Sequence, residues 1–305
     1  MDAAGAAEGR PIDATAVATI VRRLARHGET AWLHAEVARR MAERLVFIRR
    51  EPARILDWWS TLGGGAEPLA RACPRARRIA VEPAVLRARS PVPRAWWRRL
   101  AGAASEKALD ECGELPGEFD LVWSNMMLPA VSDPPALFAR WHRLLAVDGF
   151  LMFSALGPGT LRELRDLYAK LGWGPPAAEF VDMHDYGDML LHAGFADPVM
   201  DQETIVLRWQ RPEALLAELR TLGGNAHPAR APALRTPRWR AALLAALEAL
   251  RGADGRLGLS FEVAYGHAFK GQPRARPGAP TTVPLDEMRA LLRRRAGGVP
   301  PREER

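Results

Sequence analysis

The sequence predicts a doubly wound α/β fold built around a mostly parallel sheet. Residues 119–123 form a short apolar run typical of a buried strand, and residues 150–155 form a second one. A helix that begins at Pro134 is predicted between them, because its apolar residues recur at steps of three and four: Leu137, Phe138, Trp141, Leu144 and Leu145. Two apolar strands joined by an amphipathic helix form a βαβ unit, which requires a parallel sheet that is covered on both faces.

The segment before this unit repeats the same pattern. Residues 54–57 predict a strand, the glycine-rich segment WWSTLGGG and a helix follow it, and residues 78–82 predict a second strand that ends in an acid. A loop without side chains lets the backbone approach a ligand, and an acid at the end of the next strand accepts hydrogen bonds from ribose hydroxyls. A nucleotide-like cofactor site is therefore indicated at Asp57, Gly63, Gly64, Gly65 and Glu82. The alternative interpretation of the same spacing is a flexible loop beside a solvated glutamate, without a cofactor site.

The remaining elements predict an organisation in three parts. These are a leader with two amphipathic helices over 1–50, a sheet domain over 51–270 with a helical insertion at about 211–251, and a Pro- and Arg-rich, partly disordered tail over 271–305. Thr160 and Glu163 have the spacing of a capping box at the start of a helix. Residues 83–105 carry no clear period.

The positive charge of the chain is carried almost entirely by arginine. The formal net charge is +7, and the lysines are Lys107, Lys170 and Lys270. A coding bias towards arginine explains this excess, and so does an acidic partner, whereas no motif typical of nucleic-acid binding is present. Cys73 and Cys112 lack metal-ligand spacing, which favours reduced thiols in a cytoplasmic protein and no metal site. No apolar run approaches the ~18 residues of a membrane span.

Several longer blocks resemble a known family. The blocks are FDLVWSNMMLPAVSDPPALFARWHRLLAVDGFLMFSALGPGTLREL, FVDMHDYGDMLLHAGFADPVMDQETIVL, LRTLGGNAH and FEVAYGHAFK. They resemble the class I S-adenosylmethionine-dependent methyltransferases, which have a Rossmann-like sheet, and more narrowly the malonyl-acyl-carrier-protein O-methyltransferases of biotin synthesis. The resemblance implies S-adenosyl-L-methionine as cofactor. It also implies a malonyl thioester of acyl-carrier protein or coenzyme A as substrate, and an acidic carrier would give the arginine excess a use.

The resemblance also implies roles for individual residues. Asp57 matches the acid that ends the first strand near the amino-acid part of the cofactor, and Glu82 matches the acid that binds the ribose. Either Asp110 or Glu111 matches the acid beside the adenine, and Ser124 and Asn125 match the turn that lines the pocket. Weaker candidates for substrate contacts are His184, Asp185 and His227.

The glycine-rich segment departs from the family pattern. Trp59 and Thr61 stand where the first two glycines of the family are expected, and Gly63 remains in place. A β-branched threonine resists the positive φ that glycine permits. Three hypotheses remain open: an active methyltransferase, a catalytically silent relative that binds a partner or assists assembly, and a relative that hydroxylates a protein arginine. The family pattern favours the first.

Overall fold

A computed structural model describes residues 10–87, 109–111, 114–115, 117–232 and 235–272. The described residues up to Gly271 form one compact unit. Most of the predicted tail over 271–305, most of residues 83–105 and Cys112 lie outside the described residues.

Within the described residues, the sheet has seven strands in the order β3-β2-β1-β4-β5-β7-β6. The strands are β1 Arg54–Trp58, β2 Arg77–Glu82, β3 Leu109–Asp110, β4 Phe119–Asn125, β5 Leu145–Leu156, β6 Ala196–Trp209 and β7 Leu257–Phe269. The first five pair in parallel, and β7 runs antiparallel between β5 and β6. This order confirms the predicted doubly wound sheet, whose direction of winding reverses between β1 and β4.

Helices cover the sheet. They are α1 Ala14–His27, α2 Trp32–Arg44, α3 Ser60–Gly63, α4 Ala66–Ala72, α5 Ala84–Arg87, α6 Pro134–Leu144, α7 Arg162–Lys170, α8 Met183–His192, α9 Pro212–Thr221 and α10 Pro237–Glu248. Short polar side chains cap several of them; the Asp13 carboxylate, for example, accepts from the Thr15 and Ala16 N–H groups before α1. The insertion between β6 and β7 contains α9 and α10.

An aromatic cluster joins α6 to the sheet. Phe138 is fully buried, and the centroid of its ring lies 5.6 Å from that of Trp141, 5.4 Å from that of Phe153 and 6.1 Å from that of Tyr186. Such tilted and edge-to-face pairs are the favoured aromatic geometries. The helix predicted between β4 and β5 therefore packs its apolar stripe on the face of the sheet, as its periodicity indicates.

The predicted capping box at Thr160 and Glu163 is wrong. The helix α7 begins after Leu161, whose φ is 57°, and no side chain caps it. The Glu163 carboxylate instead accepts from the Ser260 hydroxyl at 2.5 Å and from the Ser260 N–H at 3.0 Å. The Glu163 carboxylate thus binds donors on β7 instead of an N–H group at the start of its own helix.

Candidate functional site

Three acids lie at the carboxyl ends of adjacent strands. Asp57 is the next-to-last residue of β1, Glu82 ends β2, and Glu111 follows β3. Parallel pairing places Glu82 beside Asp110, and the Glu111 N–H donates to the Glu82 carbonyl at 3.1 Å. Only the backbone of Asp110 is described. The fold therefore brings the acids that the sequence singles out to one edge of the sheet, where ligands of open α/β sheets bind.

Asp57 is engaged by an arginine that sequence reasoning missed. Its carboxylate is 1% exposed, and its Oδ2 accepts from the Ser60 hydroxyl and from Arg78 Nη1, each at 2.6 Å. Arg78 Nη1 also lies 2.7 Å from the Ser60 hydroxyl oxygen. A buried carboxylate requires such partners to remain charged. The signal for Arg78 is its place in β2, where parallel pairing sets it opposite Ile55, two residues from Asp57.

Glu82 is bonded to the segment that follows β1. Its Oε1 accepts from the Thr61 N–H at 2.9 Å and from the Thr61 hydroxyl at 2.7 Å. The Glu82 side chain is buried, at 8% exposure. A cleft of about 350 Å³ opens beside these two residues and is also lined by Ser60, Gly64 and Arg78. Glu82, the acid implied for ribose binding, thus already accepts two hydrogen bonds from the chain itself.

Trp59 takes the place of the first glycine and bonds to the third acid. Its indole N–H donates to the Glu111 carboxylate, and its backbone N–H donates to the Val81 carbonyl at 2.7 Å. The side chain is 6% exposed, and the backbone is left-handed, with φ 55° and ψ 49°. A residue with a side chain adopts that conformation at a cost of about 1–2 kcal/mol. The surrounding contacts therefore outweigh the local preference of Trp59.

The glycine run does not form the expected open loop: Gly63 ends α3, and Gly64 and Gly65 connect it directly to α4. The Gly63 N–H donates to the Trp59 carbonyl and the Gly64 N–H to the Ser60 carbonyl, which closes the single turn α3. A Cβ on Gly64, whose φ is +68°, would lie 2.6 Å from Thr30 Cγ2, and a Cβ on Gly65 would lie 2.6 Å from Trp123 Nε1. Gly63 likewise faces Asn125. These glycines permit close packing against the segment before α2 and against the sheet.

Asn125 ties three elements together at the end of β4. Its Nδ2 donates to the carbonyls of His34 at 2.8 Å and of Gly63 at 2.6 Å, and its Oδ1 accepts from the Ser154 hydroxyl at 2.6 Å. Ser124, the preceding residue, is fully buried, and its hydroxyl has no hydrogen-bond partner among the described residues. Both side chains are therefore buried in the packing at the end of β4, although both were expected to line the pocket.

An apolar cavity of about 190 Å³ lies on the other side of α3. Its walls come from α1, α2, the turn after β4, the turn after β5, and the segment that follows α9. Most of the lining is apolar, and Trp59 and Leu62 contribute to it from the segment after β1. Polar side chains in the wall include His34, Thr160 and Asn225. The N-terminal helix and the insertion together cover this cavity.

His34 is a further residue that sequence reasoning missed. It is 5% exposed, and its Nδ1 lies 3.1 Å from the Leu62 carbonyl oxygen. Burial lowers the pKa of the ring, so the imidazole is neutral and Nδ1 is the donor to that carbonyl. The available signal was its position three residues before Val37, on the buried stripe of α2.

The substrate candidates His184, Asp185 and His227 are not brought to the cavity. His184 and Asp185 are exposed in the first turn of α8, where His184 Nδ1 lies 2.6 Å from Asp182 Oδ1. His227 is half-buried, and its Nδ1 accepts from the Ala229 N–H at 2.9 Å within a local turn. None of the three is among the residues that line the cavity, although residues 223–226 are.

In the described part of the chain, no group of His, Cys, Asp and Glu side chains is arranged to hold a metal ion. None of its helices is both long and apolar enough to pass through a membrane.

Comparison with known proteins identifies relatives over most of the chain. Residues 31–197 match a family model described as a methyltransferase domain. A malonyl-[acyl-carrier protein] O-methyltransferase from Laribacter hongkongensis is 41% identical, and the match covers 85% of this chain and 89% of the relative. The proteins of that name from Gallionella capsiferriformans and Halorhodospira halophila are 39% and 38% identical, with 80% of this chain covered in each case and 86% and 83% of the relatives.

Proposed function

Since the chain belongs to the methyltransferase-domain family, and within it to the malonyl-[acyl-carrier protein] O-methyltransferases, we propose that it methylates the carboxylate of a malonyl thioester in biotin synthesis. The proposed methyl donor is S-adenosylmethionine, and the proposed substrate is carried on acyl-carrier protein or coenzyme A. One observation carries the proposal: the acids at the ends of β1, β2 and β3 are separated from a covered apolar cavity by the segment after β1, which lines the cleft at Glu82 with Ser60 and Thr61 and the cavity with Trp59 and Leu62.

The cavity suits the acceptor. Methylation of a carboxylate requires little side-chain chemistry, because the carboxylate is already a nucleophile, so the protein must mainly orient it and exclude water. The apolar walls from α1 and from the segment after α9 exclude water. The polar side chains of Thr160 and Asn225 also line the cavity, where the first is hydrogen-bonded to the backbone of Glu262 and the second to the backbones of Pro175 and His227.

The α1 surface suits an acidic carrier better than the α2 surface does. On α2, Arg39 and Arg40 are paired with the chain's own carboxylates, including Glu36. On α1, Arg23 Nη2 donates to the Gly223 carbonyl at the rim of the cavity, and Arg220 lies near enough to lower the Arg23 pKa, after burial as the main cause. Two neighbouring cations at the mouth of a cavity favour a carrier that brings negative charge.

The cofactor does not fit the conformation of the segment after β1. The three acids are the groups that a nucleoside with an amino-acid arm requires. However, Thr61 donates to Glu82 and Trp59 donates to Glu111, so both acids are engaged by the chain. Cofactor binding at these acids therefore requires the segment to move.

This engagement favours a second candidate function. A methyltransferase-like protein that has lost cofactor binding, and that acts by binding a partner, would keep the cavity and the carrier surface. Such a protein would still bind an acyl-carrier protein but would produce no methyl ester.

The test combines binding with product analysis. Purified protein is titrated calorimetrically with S-adenosylmethionine and S-adenosylhomocysteine, and malonyl-acyl-carrier protein is then analysed by mass spectrometry for one added methyl group. We expect saturable heat and a methylated product, both lost in Glu82→Ala and both retained in Glu43→Ala, a matched change at an exposed site on α2. Carrier binding without cofactor heat or product would refute the enzyme and support the partner-binding candidate.

A further inference from the structure

We infer that residues 59–64 act as a built-in competitor of the cofactor, with Thr61 and Trp59 occupying the acids that would otherwise bind it. The inference rests on the proposed function, because it names what the proposed cofactor must displace. Two contacts at the ends of the strands support it: Thr61 binds Glu82, and Trp59 binds Glu111.

Thr61 reproduces the donor set of a sugar diol. Its N–H and its hydroxyl both donate to Glu82 Oε1, at 2.9 and 2.7 Å. An acid at this position in a doubly wound sheet accepts hydrogen bonds from ribose hydroxyls. A buried carboxylate is stable only with donors, and Thr61 supplies two of them. A ribose must therefore replace Thr61 at that oxygen.

Trp59 reproduces a planar base. Its indole is a flat heteroaromatic ring with one N–H, and that N–H donates to Glu111, whose backbone adjoins Glu82. A base attached to a ribose at Glu82 would extend towards this neighbouring strand end. The ring is held there although its backbone is left-handed, a conformation that carries a steric penalty for any residue with a side chain.

The segment also separates the two open spaces of the site. Ser60 and Thr61 line the cleft beside Glu82, whereas Trp59 and Leu62 line the apolar cavity. Displacement of the segment would join the cleft to the cavity, so that a cofactor in the first space could reach an acceptor in the second. The segment thus controls both cofactor binding and access to the acceptor.

Contacts at both ends hold the segment in place. At its start, Ser60 is bonded to Asp57, and at its end the Gly63 carbonyl accepts from Asn125. A ligand that binds only the open form has an apparent affinity reduced by the fraction of molecules in that form. Substitutions that remove the Thr61 hydroxyl or the Trp59 indole should therefore increase the affinity for the cofactor.

The experiment compares S-adenosylhomocysteine affinities across matched variants. Thr61→Val removes the hydroxyl while preserving the β-branched shape, Thr61→Ser keeps the hydroxyl, and Trp59→Gly removes the indole and suits the left-handed backbone. We expect Trp59→Gly to bind roughly tenfold more tightly than the unmodified protein, Thr61→Val several-fold more tightly, and Thr61→Ser equally. Urea unfolding establishes that each variant is folded, and Thr61→Val carries the test if Trp59→Gly does not fold.

The outcomes separate this inference from the proposed function. Equal affinities in all four proteins, together with methylated product, would overturn the competitor and leave the enzyme. Tighter binding in the variants without product from the unmodified protein would support the competitor and refute the enzyme. Failure of every folded variant to bind would overturn both.

Discussion

Asn125 offers the sharpest test of how the site is held together. Its amide makes three buried hydrogen bonds, to the carbonyls of His34 and Gly63 and from the hydroxyl of Ser154. Asn125→Ala removes all three at once. The neighbouring change Ser124→Ala removes a buried hydroxyl that has no partner among the described residues, so it provides a control one residue away on the same strand.

The expected magnitudes follow from the hydrogen-bond count. A buried hydrogen bond contributes about 1 kcal/mol net, and a polar group left unsatisfied costs up to about 3 kcal/mol. Asn125→Ala should therefore lower the free energy of unfolding by roughly 3 kcal/mol. The Ser154 hydroxyl would keep one hydrogen bond in this variant, because it also accepts from the Met126 N–H. Ser124→Ala should be neutral or slightly stabilising, because it removes a group that is already unsatisfied.

Urea unfolding followed by tryptophan fluorescence measures both changes. The variant Asn125→Asp is a third measurement. It retains an acceptor for the Ser154 hydroxyl, but it places a carboxylate oxygen against the carbonyl oxygens of His34 and Gly63. It should be at least as destabilising as Asn125→Ala. The reasoning is refuted if Asn125→Ala lies within about 1 kcal/mol of the unmodified protein, or if Ser124→Ala costs as much as Asn125→Ala.

Two further predictions concern packing and pH. Gly65→Ala should lower the free energy of unfolding, measured with urea, by about 1–3 kcal/mol, because its Cβ would lie 2.6 Å from Trp123 Nε1. In the control Gly117→Ala, where a Cβ meets nothing within 4 Å, the loss should be far smaller. Equal losses in the two variants would contradict this prediction. The hydrogen bond from Arg39, with other contacts, lowers the pKa of Glu36 from 4.5 to about 2. A folded-state pKa below the unfolded value stabilises the fold above the unfolded pKa, so the thermal stability lost in Glu36→Gln should shrink as the pH falls from 4.5 towards 2. A loss that stays constant over that range would argue against the shift.

The parts of the fold that sequence alone predicts are those in which local pattern and burial agree. The run 119–123 is apolar, and β4 is indeed buried within the sheet. Glu82 ends a predicted strand, and pairing between parallel strands then places it beside the other acids. Residues of this kind can be predicted because hydrophobic periodicity determines which strands are central.

The conformation of the segment after β1 could not be predicted in this way. A tryptophan has no local preference for a left-handed backbone, and Trp59 adopts it because Glu111 and Val81 bind its two N–H groups. Both partners are distant in sequence. The Glu163 contact with Ser260 was missed for the same reason, since a tertiary acceptor or donor can outweigh a local capping motif.

The place of β7 in the sheet has a consequence for how the chain folds during synthesis. This strand, Leu257–Phe269, joins β5 to β6, and it is made after both of them. A nascent chain that stops short of Leu257 exposes one edge of β5 and leaves β6 without a partner, and such edges recruit other strands. Contacts between segments this far apart also slow folding. The sheet is thus completed only once β7 has been synthesised, and until then its unpaired strand edges are exposed to aggregation.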